Sequence, residues 1–302
     1  DTVLSRGLGD VYKRQLLPDA SEIHFYLDGT DLKIEAGSGK YNLTTLPSED
    51  FPKFEAEDSL SEINISSSNI KSLIGSTSFA MGNDSWRDYL SGLNLIVDDK
   101  TITAVATDGS RLAVANAVLN EALPDSINGI VPKKSINEIG KLVSETSENI
   151  IIKLGSTSIS VDAGGTKFVS KLIEGKFPDH EQVIPFGESS TMIINRKDFS
   201  DSLSRVSVLS GGDHKGVRFI TEKNTINISA NNPEKERGEE SLACSYGGES
   251  IDIAFNVNYF QEILSSLSSE EIEINFFGSE RSCLITEPNN ESLKYVVMPL
   301  LV

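Results

Sequence analysis

The strongest constraint on this chain is an internal repetition of long period. Lys40-Tyr41, Lys167-Phe168 and Lys294-Tyr295 each open a strand-like string (KYNLTTLPSEDFP, KFVSKLIEGKFPD, KYVVMPL), and successive members stand 127 residues apart. Helical positions recur with them. Ile65, Ile70 and Ile74 return 129 residues later as Ile194, Phe199 and Leu203, and Ile136 and Ile139 return 124 residues later as Phe260 and Ile263. Gly92, Thr101 and Ile102 share the 124-residue offset with Gly216, Thr225 and Ile226. A period this long belongs to a repeated domain and not to a solenoid coil. The expected units are 58–184 and 185–302, preceded by the trailing half of another at 16–57, while residues 1–15 fit no part of the repeat and read as a foreign segment.

Each unit reads as α+β. Short β-branched or aromatic runs bounded by Gly, Asn, Asp or Ser predict strands at 23–27, 31–36, 40–46, 150–154, 158–162, 225–230, 271–276 and 294–298. Apolar residues at helical spacing predict amphipathic helices over 66–81, 132–145, 196–209 and 256–267. Pro132 suits a first-turn position and Asn195 an N-cap.

The motifs that suggest chemistry reduce to turns. GSGK at 37–40 lacks the first Gly and the final Ser/Thr of a phosphate loop, so it reads as a hairpin. Asp108-Gly109, set between apolar strand residues, predicts a type I′ hairpin turn. His24, His180 and His214 have no metal-ligand spacing, and no nucleophile motif is present, so neither a metal, a cofactor nor a catalytic residue is expected. An acidic hydrolase would need a carboxylate constellation that nothing here nominates. An adhesive β-repeat protein would not need helices recurring at one place in each unit.

A net charge of −18 and a pI near 4.6 exclude a uniformly basic nucleic-acid-binding surface. The four helical stretches differ from the rest: they carry seven basic and five acidic residues, leaving −20 on the remainder. Two cysteines, Cys244 and Cys283, make no disulfide framework, so a cytoplasmic setting is expected. No apolar run approaches the ~20 residues of a membrane span.

Several strings in combination carry a family resemblance: YNLTTLPSEDFP, ATDGSRLAV, IVPKKSINEI, SKLIEGKFPD, ISANNPEKERGEE, IAFNVNYFQEIL and YVVMPL, spread over 16–302. The chain resembles the bacterial sliding clamps, the beta subunits of DNA polymerase III. The resemblance implies repeated two-helix/β-sheet clamp domains, with helices lining a ring and sheets outside. It also implies a homodimer when full length, encircling duplex DNA without sequence specificity as a non-enzymatic processivity factor. Implied partners are the DNA polymerase III alpha subunit, the clamp loader, and other polymerases and repair proteins, each docking a short peptide.

By resemblance, the peptide pocket is lined by Leu90, Thr107, Gly109, Arg111, Leu112, Pro178, Val183, Asn256, Tyr259, Ser282, Met298, Pro299 and Leu300. The DNA-facing candidates are Arg87, Lys133, Lys134, Lys71, Arg196, Lys197 and Arg205. Ring closure falls to Lys40 and Tyr41 on one side and to Val208, Leu209, Glu234, Glu236 and Glu239 on the other. Two positions depart from the family pattern: Ser110, where His is frequent, and Leu301, where Arg commonly precedes the last residue. The missing leading half of the first domain predicts a polypeptide that keeps the pocket and closes rings poorly.

Overall fold

The computed structural model describes residues 22–50, 61–83, 86–145, 149–211 and 216–300 and divides into two units, Asp1–Ala56 and Glu57–Val302. Residues 1–15 and Leu301 lie outside the described residues. In the first unit, β1 (Ile23–Asp28), β2 (Asp31–Ala36) and β3 (Gly39–Thr44) form an antiparallel meander. GSGK is the β2–β3 hairpin, with Ala36 opposite Gly39 and Gly37 at φ 60°.

The second unit repeats one order of elements. Strand β4 (Ser61–Ser66) enters α1 (Ser67–Thr77), followed by β5 (Gly92–Asp98), β6 (Thr101–Thr107), β7 (Arg111–Val118) and β8 (Ile127–Pro132). Then come α2 (Lys133–Ser144), β9 (Asn149–Leu154), β10 (Ser158–Ala163) and β11 (Thr166–Lys171). The sequence of elements starts again with β12 (Ser190–Asn195), α3 (Arg196–Ser207), β13 (Gly216–Glu222), β14 (Thr225–Asn231) and β15 (Arg237–Ala243). After a two-residue β16 (Ser245–Tyr246) come β17 (Asp252–Asn256), α4 (Val257–Ser266), β18 (Glu271–Phe276), β19 (Cys283–Glu287) and β20 (Asn290–Val297).

Pairing repeats as well. The order β11-β10-β9-β4 reappears as β20-β19-β18-β12, and β7-β6-β5-β8 reappears as β15-β14-β13-β17. Strands β7 and β20 then pair antiparallel, from Ala115 opposite Leu293 to Arg111 opposite Val297, and fuse half of each repeat into one nine-stranded sheet. The helices pack α1 on α2 and α3 on α4, and α1 also touches α4 across the repeat boundary.

The repeated apolar positions are the core. Ile65, Ile70, Ile136, Ile139, Ile194, Phe199, Leu203, Phe260 and Ile263 are all buried. Phe260 meets Phe219 edge-on at 5.2 Å and Phe255 at 5.1 Å, an arrangement aromatic quadrupoles favour. Three helices start on side-chain caps: Ser66 accepts from Asn69 N at 3.1 Å, Asn195 from Lys197 N and Asp198 N at 3.0 Å, and Asn256 from Asn258 N at 3.0 Å.

Two local expectations are corrected. Pro132 ends β8 and occupies the N-cap of α2, where it offers no side-chain bond, instead of a first-turn place. The turn at Asp108-Gly109 is not type I′. Thr107 faces Leu112 with four residues between them, and of these only Gly109, at φ 94°, is left-handed.

Glu287 locks the end of α4 to the β19–β20 hairpin. Its Oε1 accepts from Ser268 N and Ser269 N, both at 2.9 Å, and its Oε2 from the Asn290 amide at 2.8 Å. Burial pushes this carboxyl up, but those donors outweigh burial and hold it below the ordinary glutamate value. A carboxyl lowered by folding contributes stability above its unfolded pKa, and that contribution is lost as pH falls through the folded value. Glu287→Gln is therefore expected to cost about 1–3 kcal/mol at neutral pH. Urea denaturation should show the gap to the unsubstituted protein closing as pH drops below about 4.

Candidate functional site

The repeat junction gathers most of the sequence-predicted pocket residues at one end of the β7–β20 pair. The turn at 108–111 is built by Asp108, whose Oδ1 accepts from Ser110 N at 2.9 Å and Arg111 N at 3.1 Å. Thr107 Oγ1 accepts from Gly109 N at 3.1 Å and donates to the Arg111 carbonyl at 2.5 Å. Gly109 is required twice over, by its positive φ and because a Cβ there would sit 2.8 Å from Arg87 Nη1. Met298 N donates to the Ser110 carbonyl at 2.9 Å, which ties the C-terminal tail to this turn.

Arg111 is buried, and each of its three guanidinium nitrogens has a partner. Nε donates to Asp108 Oδ2 at 3.0 Å, Nη2 to the Phe79 carbonyl at 2.7 Å, and Nη1 pairs with Glu262 of α4. The same group lies 4.5 Å over the Tyr259 ring and 5.4 Å over Phe79. Turn and α4 therefore meet at one side chain, next to the residue whose carbonyl holds the tail.

Beside them is a second apolar cluster, separate from the main core. Leu90 and Leu112 sit in it with Val105, Val114, Ile130, Phe177 and Val296, and half-buried Tyr89, Ile173 and Ile184 pack against it. Pro178 and Val183 are exposed neighbours of the buried Phe177 and half-buried Ile184, on the segment that crosses this cluster. Asn256 is buried, with its side-chain oxygen committed to the α4 cap, and Ser282 is half-buried just before β19. Pro299 and Leu300 go elsewhere. Leu300 N bonds to the Ala254 carbonyl at 2.8 Å, and both residues line a cleft of about 1050 Å³ against Gly216, Arg218 and Arg237. Val296, Phe177 and Val105 were not singled out in the sequence. Their signal, strands apolar on both faces, is shared with every core strand.

The candidate DNA-facing cations divide into two groups. Lys71, Lys134 and Lys197 are exposed on α1, α2 and α3 and make no ion pair among the described residues. Lys133 donates to Asn83 Oδ1 at 2.7 Å. Arg196 instead closes the end of α4, with Nε on the Ser269 carbonyl at 2.7 Å and Nη1 on that of Leu264 at 3.1 Å. Arg205 is held bidentate by Glu240 at 2.6 and 2.7 Å, and this bond holds the Glu240 carboxyl below its usual range. Arg87 is placed at the pocket turn, its Nη2 3.3 Å from the Asp108 carbonyl.

The candidate closure residues fall on edge strands or beside them. Lys40 and Tyr41 are exposed on β3, with Lys40 3.1 Å from Glu35. In the second unit Val208 is 79% exposed after α3, and Leu209 packs near Gly238 of β15. Glu234 is exposed, Glu236 bonds Asn232 at 2.6 Å, and Glu239 pairs with Arg237 at 2.7 Å.

Among the described residues no group of three His, Cys, Asp or Glu side chains could hold a metal ion, and no helix is long and apolar enough to cross a membrane. Fold and site thus define a protein of repeated two-helix domains joined edge to edge, with the turn at 108–111, the start of α4 and the C-terminal tail gathered at the junction. Family models agree on the class: the central domain of the DNA polymerase III beta subunit matches residues 64–179, and its C-terminal domain matches 181–301. The beta sliding clamp of Pseudomonas putida is 36% identical over 299 residues, 99% of this chain and 81% of that protein, an extent that takes in part of residues 1–15. The Escherichia coli K12 clamp is 32% identical over the same shares. The crystal structure of the DNA polymerase III subunit beta from Pseudomonas aeruginosa superposes with a TM-score of 0.90 at 36% identity, covering 97% of this chain and 80% of that one. A Bartonella birtlesii sliding clamp bound to griselimycin gives 0.89 at 34%, covering 97% and 80%. The chain belongs to the beta sliding clamp family of DNA polymerase III, whose members are processivity factors and not enzymes.

Because Asp108 both shapes the turn and neutralises a buried guanidinium, Asp108→Ala should destabilise the fold by about 2–4 kcal/mol. Guanidinium denaturation, followed by circular dichroism, measures this directly.

Proposed function

We propose a sliding-clamp role in the cytoplasm: when full length, the protein closes with a second copy into a ring and surrounds duplex DNA irrespective of sequence. In that role it tethers the DNA polymerase III alpha subunit, the clamp loader, and other polymerases and repair proteins by their short peptides. The observation that carries the reading is the repeat junction, where Met298 is hydrogen-bonded to the turn at 108–111 and the Tyr259 ring lies under Arg111, beside the Leu90–Leu112 cluster. Apolar floor and polar rim together suit a peptide that ends in leucine and phenylalanine. Exposed Met298 gives the wall a flexible, polarizable surface that accepts varied sequences.

Ring closure follows from the repeat. Strand β7 holds the same place in its sheet as β15, and β20 the same place as β3 in the meander. The chain makes the β7–β20 pair itself, so β15 of one copy and β3 of another are the corresponding edges, in a plan of domains at 16–57, 58–184 and 185–302. On the helical side Lys71, Lys134 and Lys197 supply scattered positive charge. Few phosphate contacts keep DNA binding weak enough to slide, and the acidic remainder repels DNA from other faces.

The test is fluorescence polarisation of a labelled Gln-Leu-Ser-Leu-Phe peptide. Saturable binding is expected, weakened about tenfold by Met298→Ala. A folded sample that ignores the peptide would sink the pocket assignment. Lys134→Glu should leave peptide binding unchanged and lower the retention of clamp on closed circular DNA at low salt, the difference vanishing at high salt.

A further inference from the structure

We infer that Glu262 is a positioning residue for the peptide pocket, acting through Arg111; the inference rests on the clamp reading above. Arg111 binds three protein groups, and they do not come from one repeat. Asp108 and the Phe79 carbonyl belong to the first, whereas Glu262, on α4, belongs to the second. Glu262 lies three residues after Tyr259 on the same helix, so its carboxylate and the Tyr259 ring stand on one face. The guanidinium that Glu262 grips is the one lying 4.5 Å over that ring.

Without the carboxylate, the cation–π contact with Tyr259 is what ties the Arg111 guanidinium to the second repeat among the described residues. Its remaining hydrogen bonds, to Asp108 and Phe79, draw it back toward the first. Tyr259 and the turn at 108–111, which carries the bond to Met298, then lose their common brace. The Glu262 side chain is 47% exposed whereas Arg111 is buried, and without Glu262 the guanidinium keeps its bonds to Asp108 and the Phe79 carbonyl. The effect of Glu262 on binding belongs to the geometry of the pocket.

The experiment uses the same labelled Gln-Leu-Ser-Leu-Phe peptide on the full chain. Glu262→Gln should weaken binding roughly fivefold, with Glu262→Asp recovering part of the loss. Because Arg111 is buried, some loss of stability is expected, so binding is compared at a temperature where circular dichroism shows both proteins folded. In an Arg111→Lys background, which keeps the charge and loses the fork, Glu262→Gln should cause no further weakening. Binding unchanged in Glu262→Gln, while Met298→Ala still weakens it, overturns the positioning role and leaves the clamp reading intact. A fivefold loss that persists with Lys at position 111 overturns it too, since Glu262 would then touch the peptide directly. Failure of the unsubstituted protein to bind removes both readings together.

Discussion

The antiparallel pairing of β7 with β20 is the contact on which the rest of the second unit depends. It turns two repeats into one sheet, and it demands that both strands be buried on both faces. Ala113, Ala115, Tyr295 and Val297 enter the main core beneath the helices, while Leu112, Val114 and Val296 enter the second cluster. The register is therefore strict. A one-residue slip would press Leu112 and Val114 against α1, where alanines allow the helix to approach, and would open a void under Phe177. The same pairing brings the turn after β6, the start of α4 and the C-terminal tail into one place.

That place contains a buried charge, and the choice of arginine follows from its surroundings. A lysine could not direct forked donors to a carboxylate, a backbone carbonyl and a second carboxylate while also facing two aromatic rings; the planar guanidinium does all of these at once. Burying such a group is favourable only when every donor direction is met. The strictness extends to the neighbouring turn. Asp108 must cap it, Thr107 must brace it, and Gly109 must leave room for Arg87.

Much of this architecture was legible because core positions cannot drift. Ile65 with Ile194, and Ile136 with Phe260, are paired by offset in the sequence and are buried at equivalent places in the fold. What failed to show was set by partners distant in sequence. Arg196 and Arg205 lie on a helix expected to face DNA, and a helical position does not reveal that one meets the carbonyls at the end of α4 and the other a carboxylate on β15. The turn at 108–111 was misjudged because Asp-Gly signals a tight hairpin only when strand pairing continues to its edges, and here the Asp108 side chain replaces that pairing. Val296 was invisible as a site residue because a strand apolar on both faces does not say which face a ligand approaches. Pro299 and Leu300, adjacent to Met298 in sequence, turn toward β17 and a different cleft.

An architecture assembled by strand edges must also keep those edges from pairing indiscriminately. Strand β15 solves this with alternating charge: Arg237 and Glu239 face outward as a pair, and Glu240 on the other side is held by Arg205. Exposed Val208 and half-buried Leu209 supply an apolar contact immediately beside this edge. A second strand approaching β15 gains backbone hydrogen bonds only if its own side chains accept acidic neighbours. Lys40, already disposed toward Glu35, and Tyr41, half exposed, give β3 that character. The β7–β20 junction has no such filter, because its partners share one chain and need only apolar fit. The proposed ring thus uses one pairing geometry with two selection rules, burial within the chain and charge complementarity between copies.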